Sequence, residues 1–134
     1  MAAATGSADP HGLGALCGQL GLFSRRSAKT ATLVVASSLA EGERAELLVA
    51  GRFRGEDGVA VLTGDRLVLA NDREWKPDVE VVELTSGLVI EGWQDDKTAS
   101  LLFRHGDRTV AIEQIAEREL AQRMAAAVRA RVGA

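Results

Sequence analysis

Residues 47–70 read LLVAGRFRGEDGVAVLTGDRLVLA, and this stretch decides the fold. Leu47, Val49, Gly51 and Phe53 alternate with Leu48, Ala50, Arg52 and Arg54, the period-two pattern of a strand. Gly55-Glu56-Asp57-Gly58 reads as a hairpin loop. Val59–Leu62 is then a second short strand, Gly64-Asp65 a turn, and Leu67–Ala70 a third strand.

The same rhythm continues toward the C-terminus. Asn71–Asp78 is polar and contains Lys76-Pro77, which predicts a loop because the residue before proline is pushed out of the helical region. Val79–Leu84, Leu88–Trp93, Ala99–Phe103 and Thr109–Ile112 follow as strands. They are punctuated by Ser86-Gly87, Asp95-Asp96-Lys97 and His105-Gly106-Asp107. Short strands joined by hairpin-sized turns predict an antiparallel sandwich or barrel. Beyond them Leu120, Met124, Ala127, Val128 and Arg131 fall on or near one helical face. Glu117 and Glu119 at its start and Arg129 and Arg131 at its end suit the helix dipole. A lone helix of this length is marginal in water, so its apolar stripe is expected to stopper the curled sheet.

On the N-terminal side, residues 1–12 are small and polar and are expected to form a disordered tail. Leu13, Leu16, Leu20 and Phe23 line one face of a helix predicted over residues 13–23, weakened by Gly14, Gly18 and Gly21. A second helix is predicted from about Ala28 to Leu39, with Gly42 as its natural stop. Residues 13–40 thus make a helical N-terminal extension to a β-roll with its closing helix over 41–134. Arg25-Arg26 ahead of Ala31–Leu39 also resembles a twin-arginine export signal over residues 24–40. Thr32, Ser37 and Ser38 interrupt that apolar stretch and Met1 lies far from it, which favours a packed helix.

A chain of 134 residues is one domain, and at 46% hydrophobic it can bury a core built of Leu, Val, Ile and Ala. Cys17 is the single cysteine, so no internal disulfide forms, which fits a cytoplasmic protein. No apolar run approaches the ~20 residues of a membrane span. The net charge of −3 is unevenly spread. Residues 41–113 hold nine Lys or Arg against sixteen Asp or Glu, while residues 1–40 hold Arg25, Arg26 and Lys29 against Asp9. An acidic sheet repels phosphate backbones, so nucleic acid is not an expected partner.

Seven strands followed by one helix is the order of the pleckstrin-homology (PH) superfold. The chain resembles the bacterial PH-like domains of the YokE-like type over roughly residues 28–132. The resemblance rests on residues 39–43, LAEGE, leading into the first strand, and on residues 61–69, VLTGDRLVL. The Gly106 turn, the Val110–Ile112 strand and the helix Ala116–Arg131 complete it. These are features of fold and not of catalysis. The resemblance implies a mainly β fold with α, a seven-stranded half-open barrel with a C-terminal helix. It also implies a bacterial, non-catalytic interaction module, some relatives of which assemble into rings.

Phosphoinositide-binding PH domains grip phosphates with basic residues of the first hairpin, which makes Arg52 and Arg54 candidate headgroup ligands. Against this, Glu56 and Asp57 occupy the same loop and pair naturally with them. His11, His105 and Cys17 are too few and too scattered for a metal site, and no cofactor is expected. Ser37 and Ser38 lack a nucleophile elbow, and Gly51, Gly55 and Gly58 lack the Gly-Lys-Ser/Thr of a phosphate loop. Trp75, flanked by Arg73, Glu74 and Lys76, reads either as an interaction hot spot or as a ring tucked on the barrel edge. Trp93 falls on a strand and reads as structural. Leu13, Leu16, Leu20 and Phe23 have three readings: packing on the barrel, docking on another subunit or protein, or weak contact with the inner membrane face, with Arg25, Arg26 and Lys29 at headgroup level. Three function classes follow: a protein-interaction or assembly module, an anionic-lipid-binding peripheral protein, and a small-molecule-binding barrel, for which the sequence shows no pocket.

Overall fold

The computed structural model describes residues 9–133. Among the described residues three N-terminal helices lead into the sheet: α1 (Leu13–Cys17), α2 (Leu22–Ser27) and α3 (Lys29–Ser38). Seven strands follow: β1 (Ala45–Phe53), β2 (Glu56–Thr63), β3 (Arg66–Asn71), β4 (Val79–Glu83), β5 (Val89–Gln94), β6 (Ala99–His105) and β7 (Arg108–Ile115). The helix α4 (Arg118–Val132) ends the chain. All strand pairings are antiparallel, in the order β4-β3-β2-β1-β7-β6-β5. β1 joins β7 through the single pair Arg52↔Glu113, so the sheet bends there into two leaves. β4 and β5, at the two ends of the order, do not pair, and the roll stays open between them. This architecture is consistent with a PH-like fold.

Gly51 sits at the bend. A Cβ there would lie 2.3 Å from the Glu113 carbonyl oxygen, so only glycine lets β1 and β7 approach this closely. The β1–β2 hairpin turns more tightly than the sequence suggests. Arg54 and Gly55 both have positive φ, 53° and 84°, as a two-residue type I′ turn requires, and Glu56 and Asp57 already belong to β2.

α4 lays Leu120, Met124 and Val128 of the predicted stripe against β5, β1 and β6; Ala121 and Ala125 are buried beside them, while Ala127 and Arg131 are only half-buried. Arg129 donates to the Ile90 carbonyl at 3.2 Å, which occupies one acceptor on β5. Arg131 donates to the Thr63 carbonyl at 2.6 Å and pairs with Glu46.

The N-terminal segment departs from its predicted form. The helix expected over 13–23 is two short helices, because the chain ends one turn at Gly18 and restarts from an extended Gly21. Residues 9–12 of the predicted tail are tied down. Asp9 accepts from the Gly14 and Ala15 amides, His11 Nδ1 lies 2.7 Å from the Glu43 carbonyl, and the Ala45 amide donates to the His11 carbonyl. Residues 1–8 of that tail lie outside the described residues.

α3 packs across β2 and β3 with Ala31 and Val35 fully buried, and Ala28 beside them. This explains why Val59–Thr63 and Leu67–Asn71 are buried along their whole length instead of alternately. One side of these strands faces the inside of the roll, and α3 covers the other.

Candidate functional site

Among the described residues, the end of the roll that presents Trp75 and the open seam between β4 and β5 bring polar and apolar side chains together in a shaped surface. The first is built from the Arg54-Gly55 turn and the β3–β4 loop over residues 72–78. Asn71, fully buried, braces that loop. Its Nδ2 donates to the Phe53 carbonyl at 3.0 Å and to Asp78 at 2.8 Å, while its Oδ1 accepts from the Arg73 and Asp78 amides. Arg73 Nε donates to Asp78 at 2.8 Å, and its Nη2 reaches the Arg54 carbonyl. The Asn71 amide and the Arg73 guanidinium hold the Asp78 carboxyl below the usual carboxylate range. On this braced loop Trp75 stands at 101% exposure with φ at +71°, a backbone region that bulky L-residues rarely adopt. Strain of this kind concentrates at functional positions. Val79 and Val81 on the outer side of β4 continue the exposed apolar surface.

Arg52 and Arg54 lie at this same end, each already engaged. Arg52 meets Asp57 at 3.2 Å, and Arg54 meets Glu80 at 2.9 Å while its guanidinium stacks 4.9 Å from the Phe53 ring centre. Residues 52–57 and 72–80 together hold Arg52, Arg54, Arg73 and Lys76 against six acids. A phosphate approaching this end meets a negative surface.

The seam holds a cavity of about 300 Å³. Val82 of β4, Leu88, Phe103 of β6 and Val110 of β7 give it an apolar lining. Glu80, Glu83, Thr85, His105 and Arg108 give it a polar rim. Glu80 is buried and takes Arg54 on one oxygen and Arg108 on the other. The sequence showed no pocket because the lining comes from four separate segments whose meeting depends on where the roll fails to close.

The remaining predicted positions divide. Leu13 and Leu20 are 5% and 3% exposed, buried in this chain's own core. They therefore do not form a docking surface, because covering the roll already uses them. Leu16 is half-buried against the same core, whereas Phe23 is 84% exposed. Leu22 and Leu33 are exposed as well. α2 carries no buried residue. Trp93, expected to be structural, gives about half its surface to solvent at a shallow groove between β5 and α4. Cys17 is half-buried, 3.6 Å from Thr32 Oγ1. Among the described residues no group of three or more His, Cys, Asp or Glu is placed to hold a metal ion, and no helix is long and apolar enough to cross a membrane.

No protein-family model, curated protein or solved structure matches the chain.

Proposed function

We propose that this chain is a non-catalytic interaction module of the bacterial PH-like kind it resembles, docking protein partners through Trp75 and the exposed side of β4, with a second copy of itself as the first partner. The carrying observation is Trp75, fully exposed and backbone-strained on a loop fixed by Asn71, Arg73 and Asp78. A rigid aromatic loses little conformational entropy on docking, and Trp is the residue type most enriched at interface hot spots. Val79 and Val81 extend the apolar contact along a strand with no neighbour on its outer edge. Light scattering across a concentration series tests this. The wild type is expected to form dimers or larger assemblies that Trp75→Gly dissolves. A wild type that stays monomeric at every concentration refutes self-association.

The N-terminal helices support a second reading, a peripheral contact with anionic lipid. Leu22, Phe23 and Leu33 are exposed near Arg25, Arg26 and Lys29, and residues 10–40 contain no acid. An exposed aromatic flanked by cations is the composition of an interfacial helix. Sedimentation with phosphatidylglycerol-containing vesicles at low salt, against phosphatidylcholine alone, tests it. Absence of binding to the anionic vesicles ends this reading.

A further inference from the structure

We propose that the seam between β4 and β5 is a binding site for a small amphipathic carboxylic acid, its apolar body seated on Leu88, Phe103 and Val110 and its carboxylate held by Arg108. The proposal is independent of the Trp75 surface and of the lipid reading.

The cavity has the chemistry of a small-molecule site, an apolar floor with a few polar groups on one side. Phe103, Leu88 and Val110 are buried at its base. A space of about 300 Å³ holds on the order of ten non-hydrogen atoms, at about 30 Å³ each for liquid-like packing.

The charge pattern selects the head group. Arg54 and Arg108 both meet the Glu80 carboxylate, but Arg54 also meets Asp78 at 3.8 Å, so the guanidinium with donors left for a further anion at this rim is that of Arg108. Arg108 gives only one of its nitrogens to Glu80, and its side chain remains 68% exposed. An arginine has five N–H donors in a planar fork, so the donors not aimed at Glu80 can take a second carboxylate. His105 stands opposite Arg108 across the β6–β7 hairpin and adds a ring nitrogen at the same rim. At the other end of β4 sits Glu83, which repels an anion. An amphipathic acid is therefore oriented with its head toward Arg108, beside Glu80, and away from Glu83 at the other end of β4.

The site is also set apart from ordinary core. Phe103, Leu88 and Val110 pack on the roll, but β4 and β5 leave the space above them unfilled, since no strand closes the order between them. Gly87 keeps the far side compact: a Cβ there would come within 3.2 Å of His105 Nε2, so the His105 ring leans over this turn.

Sodium octanoate, with about ten non-hydrogen atoms, is the probe, and octan-1-ol is its uncharged counterpart. Titrated into the ¹⁵N-labelled full chain, octanoate is expected to give saturable amide shifts confined to residues 80–88 and 103–110. Arg108→Gln is expected to weaken octanoate about tenfold or more while leaving octanol unchanged, because only the acid uses the charge-assisted bonds. Arg108→Lys should keep an intermediate affinity. Thr85→Trp, placed at the exposed rim, should block both ligands without unfolding the roll. Absence of saturable shifts, shifts spread over the exposed apolar surface, or equal loss of octanoate and octanol in Arg108→Gln would each overturn the assignment.

Discussion

Glu43 precedes β1 and is the hub of a clamp that fastens the N-terminal helices to the sheet. Its two oxygens accept from Arg66 Nη2 at 2.8 Å, Arg66 Nε at 2.9 Å, Thr63 Oγ1 at 2.9 Å and the Ala40 amide at 2.9 Å. Arg66 in turn donates to the Ser38 carbonyl at the end of α3. The paired Arg66 guanidinium holds the Glu43 carboxyl at about 2 against its ordinary 4.5; burial opposes this, and the Ala40 and Thr63 bonds reinforce it. The Glu43 side chain is 9% exposed and that of Arg66 23%, so solvent screens the pair in part. At 1.36 kcal/mol per pH unit, a drop from 4.5 to about 2 sets an upper limit of about 3 kcal/mol on the folding stability, which solvent screening of the part-exposed pair reduces. The folded-state value lies below the unfolded one, so this stability is complete above pH 4.5 and is lost as the pH falls from there through about 2. Glu43→Gln removes the charge and leaves Arg66 half-paired, at an expected cost of about 2–3 kcal/mol at pH 7. For a domain of this size that lowers Tm by roughly 6–12 °C. Urea unfolding at pH 7, 5, 4, 3 and 2 measures it. Wild type and variant should differ most at pH 7 and converge toward pH 2. A variant as stable as wild type at pH 7, or two curves that fall in parallel on acidification, would refute the clamp.

Trp75→Gly should leave stability unchanged or raise it by up to about 1 kcal/mol, since glycine adopts the positive φ freely, while association in light scattering is lost. Gly51→Ala should cost about 1–3 kcal/mol in urea unfolding, because its Cβ meets backbone that can yield only by opening the β1–β7 bend. Leu20→Ala should cost about 2–4 kcal/mol and Phe23→Ser close to nothing by the same measurement, separating the buried from the presented apolar residue of the N-terminal segment. Phe23→Ser is also expected to abolish any sedimentation with anionic vesicles.

The two stretches that carry the family resemblance, around residues 39–43 and 61–69, show why physical meaning can be visible in a sequence without being readable there. Glu43, Thr63 and Arg66 look like features of unrelated turns, yet they meet in the clamp. Arg52 and Arg54 had a legible counter-signal in Glu56 and Asp57, but Glu80 and Asp78, the partners that engage Arg54, come from the distant β4 region. Trp75 was legible as a candidate, and its exposure was not, because the bracing comes from Asn71, which reads as an ordinary loop residue.

The strand succession from Leu47 to Ile112 and the stripe of α4 were decided by the sequence alone, since alternation, turn residues and helical period are local properties that each segment carries with it. Tertiary structure decided the double-sided burial of β2 and β3, the division of the N-terminal apolar residues into core and surface, and the unclosed seam. Those depend on which faces the bend at Gly51 and the docking of α3 bring together, and contacts between segments far apart in the chain leave no period for a single segment to show.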